Sequence, residues 1–223
     1  MTTAHPESPG PHMIVLPGGG YAAHAPHEAE PVASWLSEIG VQASVFRYPL
    51  NVRHPAPLDA LRAEICRRRA DGAQRIGLIG FSAGGHLAGL AALAPGAAPD
   101  QAVQFAVLGY AVTSMETETY RPSRLILLGA DASPSLRRAT SLDALVTPQS
   151  PPFFVWHTAE DTYVPPGHAY RLASALAASG APHAVHVFAH GSHGLGLAQD
   201  AGETSSWTTL ARAWIHEQAA LPG

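Results

Sequence analysis

The amino-acid sequence predicts an α/β protein: a mostly parallel sheet with helices on both faces. Short runs of apolar or β-branched residues alternate with amphipathic helical patterns along the chain, an order typical of parallel strands joined by helices. The run RIGLIGF at 75–81 is almost continuously apolar, as expected of a strand buried on both faces. No linker-like segment interrupts the alternation, so we predict one domain over residues 1–223, with a flexible tail at 1–11.

Six strands are predicted from short runs rich in β-branched and aromatic residues, bounded by glycine, proline or polar positions. The first of them, MIVL, runs into three glycines, and the third leads directly into a helix. In chain order, the predicted strands are 13–16, 41–48, 75–81, 104–112, 152–158 and 184–189.

Helices are predicted between the strands wherever apolar side chains recur three and four positions apart. The first repeat places Val32, Trp35 and Leu36 on one face and stops at Gly40, a residue that commonly ends helices. In chain order, the predicted helices are 28–40, 57–69, a helix starting at Ala83, 123–129, 141–146, 167–178 and a helix starting at Trp207.

Composition places the chain among globular proteins and narrows its partners. Of 223 residues, 46% are hydrophobic and 13% are charged, with a net charge of −4, so no basic surface predicts binding to nucleic acid or anionic lipid. The single cysteine, Cys66, excludes an internal disulfide framework. Because the sequence shows neither a signal-peptide pattern nor an apolar run of about 18 residues, we expect a cytoplasmic protein without a membrane partner.

A five-residue motif, Gly80-Phe81-Ser82-Ala83-Gly84, lies between the third strand and the helix that follows it. It matches G-x-S-x-G, in which a sharp turn lifts the serine above the end of a sheet. Neighbours two residues away must be small, because larger side chains would collide with the adjacent strand and helix. The motif predicts Ser82 as a nucleophile, with the N–H of Ala83 at a helix N-terminus facing a developing negative charge.

A serine nucleophile needs a base and an acid, which in this arrangement follow in the order serine, acid, histidine. Of His190 and His193 after the last strand, we assign the base to His193 in its glycine-flanked loop and expect His190 to turn into packing. Of Glu160 and Asp161 after the preceding strand, we assign the acid to Asp161, whose side chain is shorter and stiffer. No metal-ligand pattern is complete, so neither a metal nor another cofactor is predicted.

A glycine-rich segment, VLPGGGY at 15–21, ends the first strand with Gly18, Gly19 and Gly20. Only glycines let backbone N–H groups approach a substrate oxygen to within about 3 Å. We therefore expect this loop to donate a second hydrogen bond to an oxyanion, beside that of Ala83, from a glycine that the sequence does not single out. Tyr21, at the rim of the loop, is expected to line the substrate pocket.

Longer segments around these motifs carry a family resemblance. They are HEAEPVASWLSEIGVQASVFRYPL, RHPAPLDALRA, RIGLIGFSAGGHLAG, PPFFVWHTAEDTYVPP and VFAHGSHGLGLA. Together with the glycine loop they resemble the small α/β-hydrolase esterases of the acetyl-esterase and acetylxylan-esterase-like group, over about residues 13–216. The resemblance implies an α/β-hydrolase fold and hydrolysis of short-chain, often sugar-borne, acetyl esters. It places nucleophile, acid and base on Ser82, Asp161 and His193, and the oxyanion hole on the loop Gly18–Gly20 with Ala83.

These observations predict a serine hydrolase that cleaves a small-molecule ester through an acyl-enzyme intermediate. The insertion at 111–150 is expected to shape the substrate entrance with two short helices near Ser82, and it is too short for a lipase-like lid, which favours small acyl groups. An amide hydrolase on the same fold, such as an aryl formamidase or a small peptidase, and a non-catalytic binding module are the alternatives. Whether the protein forms a homo-oligomer is left open.

Overall fold

The computed structural model describes residues 10–116 and 120–221. Within these ranges, six strands form one sheet in the order β2-β1-β3-β4-β5-β6, with every neighbouring pair parallel. The strands are β1 (His12–Leu16), β2 (Gln42–Val45), β3 (Ile76–Phe81), β4 (Phe105–Gly109), β5 (Phe153–Thr158) and β6 (His183–Phe188). The predicted α/β class and its six strands are confirmed, although β2 and β4 each end three residues before the predicted limit.

Helices connect the strands of the described chain and cover both faces of the sheet. They are α1 (Glu30–Glu38), α2 (Ala56–Ala70), α3 (Ser82–Leu93), α4 (Arg121–Leu128), α5 (Pro134–Ala139), α6 (Leu142–Leu145), α7 (Gly167–Ser179) and α8 (Trp207–Ala220). Helix α5 is the one the sequence pattern did not predict. It has only six residues, and its start is stabilised by an N-cap. The Ser133 side chain accepts a hydrogen bond from the N–H of Leu136, a donor that the start of a helix would otherwise leave without a partner.

Apolar side chains form a separate core on each face of the sheet. Along β3, Ile76 and Leu78 belong to one core, and Ile79 and Phe81 belong to the other. This alternation explains why the strand is apolar at every position, because successive side chains of a strand point to opposite faces. Helices α2, α3 and α7 contribute to the first core, and α1 and α8 contribute to the second.

The strand order changes direction between β1 and β3, because β1 pairs with β2 on one side and with β3 on the other. The register sets Leu16 opposite Gly80, so the loop after β1 and the turn after β3 leave the sheet side by side. In open parallel sheets, ligands bind in the crevice at such a switch point. The topology therefore brings the glycine loop and Ser82 to one place.

The N-terminal tail and the membrane prediction are tested only in part. Of the tail predicted at 1–11, residues 1–9 lie outside the described residues, and Pro11 is already buried just before β1 begins. Across 10–116 and 120–221, no helix has the length and apolar character needed to cross a membrane. The cytoplasmic location stays a prediction.

Candidate active site

Ser82 lies at the junction of β3 and α3, in the sharp turn that the G-x-S-x-G motif predicts. Its φ of 51° is in the left-handed region, which costs a non-glycine residue energy and persists only where the surroundings impose it. A Cβ on Gly80 would lie 2.4 Å from the Gly84 carbonyl oxygen, and one on Gly84 would lie 2.2 Å from the Leu16 oxygen. Both distances are far inside van der Waals contact, so the small residues around Ser82 are required by the backbone path.

His193 follows β6 in a loop that bends back over the strand ends at Gly191 and Gly194, both of which have positive φ. Its Nε2 lies 2.9 Å from the Oγ of Ser82. This distance joins residues 111 positions apart in the chain and is an ordinary hydrogen-bond length. The imidazole therefore sits where it can take a proton from the serine hydroxyl.

Asp161 follows β5 and completes a hydrogen-bonded series that runs from Ser82 through His193. Its Oδ2 lies 2.7 Å from the Nδ1 of His193, and its Oδ1 accepts hydrogen bonds from the N–H groups of Tyr163 and Val164, each at 2.9 Å. Burial opposes the negative charge, but hydrogen bonds from two histidines and a backbone N–H outweigh it and hold the pKa of Asp161 well below its usual range. The carboxylate of Asp161 therefore stays ionised throughout the pH range in which a histidine gains or loses its proton.

His157 is the second histidine at Asp161, and sequence reasoning did not single it out. It is the last residue but one of β5 and is fully buried, with Nε2 2.8 Å from the Val164 carbonyl oxygen and 3.3 Å from Oδ2 of Asp161. A histidine within a buried strand carries no pattern that sets it apart from packing residues. Its contact with Asp161 depends on the turn after β5, which brings residue 161 back beside the strand.

The two rejected alternatives, Glu160 and His190, lie together outside this series. The Nδ1 of His190 is 3.0 Å from Oε1 of Glu160, and Oε2 of Glu160 accepts a hydrogen bond from the N–H of Gly191. Both side chains are largely exposed. The expectation that His190 turns into packing is therefore wrong: the loop after β6 directs it to solvent, where it pairs with Glu160.

The glycine loop faces Ser82, but its three N–H groups are not equivalent. The N–H of Gly18 donates to Oε2 of Glu28 at 2.6 Å, so it is already occupied. The N–H groups of Gly19 and Gly20 make no hydrogen bond within the described chain, and both residues have positive φ and line the cavity over Ser82. Ala83 is at the first turn of α3, where backbone N–H groups lack intrahelical partners. Gly19, Gly20 and Ala83 are thus the available donors.

Tyr21 is not at the pocket, contrary to the expectation from its position after the glycines. Its side chain is buried, and its hydroxyl lies 2.7 Å from the Nδ1 of His86. The positive φ of Tyr21 turns the chain at this point, so the ring enters the core beneath the loop. Burial lowers the pKa of His86 to about 4, which keeps its imidazole neutral between Tyr21 and the Thr140 carbonyl oxygen.

A cavity of about 370 Å³ opens above Ser82 and His193. Helix α4 of the 111–150 insertion supplies Pro122 and Ile126 to its wall. The second predicted helix of this insertion, α6, instead packs Leu142 against Gly89 on α3, away from the cavity. Only the first of the two predicted helices thus takes part in the pocket.

A parallel α/β sheet whose serine turn, acid turn and histidine loop converge at the strand ends defines an α/β-hydrolase fold. The chain belongs to the prolyl oligopeptidase family, whose model matches residues 67–221. Among solved structures, it is similar to the acetyl ester-xyloside bifunctional hydrolase from Caldicellulosiruptor lactoaceticus, with 36% identity and a TM-score of 0.89. That match covers 96% of this chain and 85% of the other.

Two curated relatives are considerably longer proteins. Endo-1,4-beta-xylanase B of Butyrivibrio fibrisolvens is 32% identical over 209 residues, covering 84% of this chain and 33% of that protein. Acetylxylan esterase of Xylanibacter ruminicola is 28% identical over 207 residues, covering 86% of this chain and 42% of that protein. This chain thus spans less than half the length of either relative.

Proposed function

We propose that this protein is a serine hydrolase that cleaves short-chain carboxylic esters, acetyl esters of sugars among them. The observation that carries the proposal is the continuous hydrogen-bond series from Ser82 through His193 to Asp161, with steps of 2.9 and 2.7 Å. Ester substrates are favoured because the names of similar proteins refer to an acetyl ester-xyloside hydrolase and an acetylxylan esterase. A strained serine turn has a use in catalysis and none in a protein that only binds.

The proposed reaction begins with attack of the Ser82 Oγ on the ester carbonyl carbon. His193 takes the hydroxyl proton at Nε2 and then gives it to the departing alcohol, while Asp161 holds the opposite N–H and stabilises the imidazolium. Water then attacks the acyl carbon as the same histidine takes its proton, the bond from that carbon to the Ser82 Oγ breaks, and His193 returns the proton to the serine oxygen as the acid departs. Serine and histidine return to their starting protonation states.

The negative charge that develops on the substrate oxygen needs donors fixed in advance. We assign these to the N–H of Ala83 and to the N–H of Gly19 or Gly20. Gly18 belongs to the same loop but is removed from this role, since its N–H is bonded to Glu28. The candidate donors in the glycine loop are thereby reduced from three glycines to two.

Two aromatic side chains at the cavity support a ring-shaped leaving group. The exposed rings of Tyr120 and Tyr163 line the cavity and lie 6.0 Å apart. Aromatic faces at an entrance offer flat apolar contact while their hydroxyls meet water. We therefore assign the leaving alcohol to the tyrosine side, at the entrance that the 111–150 insertion shapes.

Acyl-chain selectivity tests the proposed function. We expect kcat/KM for p-nitrophenyl acetate to exceed that for p-nitrophenyl octanoate by about tenfold or more, because the names of similar proteins refer to acetyl esters and the 111–150 insertion is too short for a lid that would cover a long acyl chain. The measurement is initial rates over a series of acyl lengths at constant leaving group. A rate that rises steadily to the octanoate would contradict the proposed short-chain specificity.

An ester and an anilide that carry the same acetyl group distinguish an ester hydrolase from an amide hydrolase. We expect p-nitrophenyl acetate to be cleaved and p-nitroacetanilide to be left essentially intact. Turnover of the anilide at a comparable kcat/KM would instead identify an amide hydrolase, in keeping with the peptidase in the family's name.

Asp161→Asn is expected to lower turnover by about 10⁴-fold. The oxygen of the new amide is needed by the two backbone N–H groups at Tyr163 and Val164, so its NH₂ would face His193. The imidazole must then carry its proton on Nε2, where it cannot accept one from Ser82. Steady-state kinetics with a short-chain ester give the comparison.

Glu160→Gln is the matched control, because it changes the neighbouring carboxylate in the same way. Its side chain is mostly exposed and faces His190, so turnover should fall less than about tenfold, as an exposed ion pair contributes little. Thermal melts of both variants separate a folding defect from a chemical one. If Glu160→Gln were the crippled variant, the acid would have been assigned to the wrong residue.

A further inference from the structure

A buried carboxylate, Glu28, lies between the glycine loop and the loop that carries His193. It ends a short 3-10 turn, Pro26–Glu28, and only 2% of the residue is exposed. A charged side chain is rarely buried without dedicated partners, because removal from water is costly. Its contacts therefore indicate what it is retained to hold.

On one side, Glu28 fixes the start of the glycine loop. Its Oε2 accepts the N–H of Gly18 at 2.6 Å, and a Cβ at Gly18 would come within 2.7 Å of the same oxygen. The carboxylate thus holds this peptide at close range and in one orientation. The next two residues, Gly19 and Gly20, then present their free N–H groups to the cavity.

On the other side, Glu28 reaches the histidine loop through Tyr110. The Tyr110 hydroxyl donates to Oε1 of Glu28 at 2.6 Å and accepts the N–H of Gly196 at 2.8 Å. Burial, together with the charge of Glu28, raises the pKa of Tyr110 far above its usual value, so the phenol keeps the proton that this arrangement requires. Gly196 is three residues beyond His193.

Two further contacts tie the same elements to His193. The ring of Tyr110 packs edge-on against the imidazole of His193, with centroids 5.0 Å apart. His27, next to Glu28 in the chain, places its Nε2 2.8 Å from the carbonyl oxygen of Gly194. Tyr110 also has a φ of 35°, a conformation that a tyrosine adopts only under constraint from its surroundings.

We propose that Glu28 and Tyr110 form a positioning pair that sets the oxyanion loop and the His193 loop at a fixed separation around Ser82. The inference rests on the proposed function and adds to it residues that do not take part in the chemistry. Glu28 borders the cavity, but both of its oxygens already accept hydrogen bonds, from Gly18 and from Tyr110. It acts through those two groups and not on the substrate.

The test compares Glu28→Gln, Tyr110→Phe and the double variant. A misplacement of about 1 Å in a catalytic group can cost 10²-fold, so each single variant should lower kcat for p-nitrophenyl acetate by about 10- to 100-fold, with KM nearly unchanged. Because the two residues serve one linkage, the double variant should be little worse than the poorer single variant, instead of showing the product of both losses. Kinetics are measured well below each variant's Tm.

Glu64→Gln is the matched control for loss of a buried carboxylate. Glu64 is 1% exposed and bonds to Arg67 and Arg68 on α2, on a helix that contributes nothing to the cavity. Its replacement should lower Tm and leave kcat unchanged. A merely structural role for Glu28 predicts the same result for Glu28→Gln, whereas the positioning role predicts a fall in kcat that exceeds any effect of Glu64→Gln.

The possible outcomes are distinct. If Glu28→Gln fails to fold, Tyr110→Phe carries the test, because it removes one oxygen atom and leaves the carboxylate bound to Gly18. A wild type that hydrolyses the ester alongside folded Glu28→Gln or Tyr110→Phe variants of unchanged kcat would overturn the positioning role alone. A wild type that hydrolyses no ester would overturn the proposed function and this inference with it.

Discussion

Replacing Ser82 with alanine is expected to lower turnover by about 10⁶-fold while leaving the fold intact. The substitution removes one oxygen atom, whose hydrogen-bond partner is Nε2 of His193. Alanine keeps the Cβ of serine, so the turn between Gly80 and Gly84 is retained. Without the hydroxyl no acyl-enzyme can form, and only the oxyanion donors and substrate binding remain.

Ser192→Ala provides the control for this prediction. Ser192 is an exposed serine beside His193, and its loss should leave turnover close to that of the wild type. The assay is hydrolysis of p-nitrophenyl acetate, with circular dichroism and melting curves for both variants. Retention of more than a few per cent of activity by Ser82→Ala would mean that another residue is the nucleophile.

His193→Ala is expected to match the loss at Ser82, because a serine without its base is as ineffective as a base without its serine. His190→Ala should cost far less, since that imidazole points to solvent and pairs with Glu160. The two variants change the same residue type three positions apart in one loop, so each serves as a control for the other. Single-turnover rates measure the chemical step directly.

The ranking of the two histidines decides the assignment. Severe loss at position 193 with near-normal rates at position 190 supports Nε2 of His193 as the proton acceptor. The opposite ranking would require the loop after β6 to rearrange on substrate binding and would remove His193 from its assigned role. Equal, mild losses would exclude a single histidine base.

The sequence predicted the sheet well because its signals are local. A continuously apolar strand, two small residues flanking one serine, and helical repeats of leucine each act within a few positions of the chain. The order of serine, acid and histidine then limited the candidates to the ends of two strands. Ser82, Asp161 and His193 could therefore be named from the sequence, and in the structure His193 lies within hydrogen-bond distance of both Ser82 and Asp161.

What the sequence did not reveal depends on contacts between distant segments. Glu28 is the first residue of the helix predicted at 28–40 and carries no motif, yet its partner Tyr110 is 82 positions away. Tyr21 was misplaced for the same reason, because the direction of its ring is set by a positive φ and by His86, which is 65 positions away. No local pattern encodes either contact, since both depend on how loops meet above the sheet.

The most direct test of the central claim, that Ser82 is an activated nucleophile, is labelling with a fluorophosphonate probe followed by peptide mapping. A serine deprotonated by a neighbouring histidine attacks phosphorus and expels fluoride, whereas an ordinary surface serine does not react at a useful rate. The account predicts one adduct per chain, on the peptide that contains Ser82, and none in Ser82→Ala or His193→Ala. Labelling of a different serine, or no labelling of the folded wild type, would contradict it.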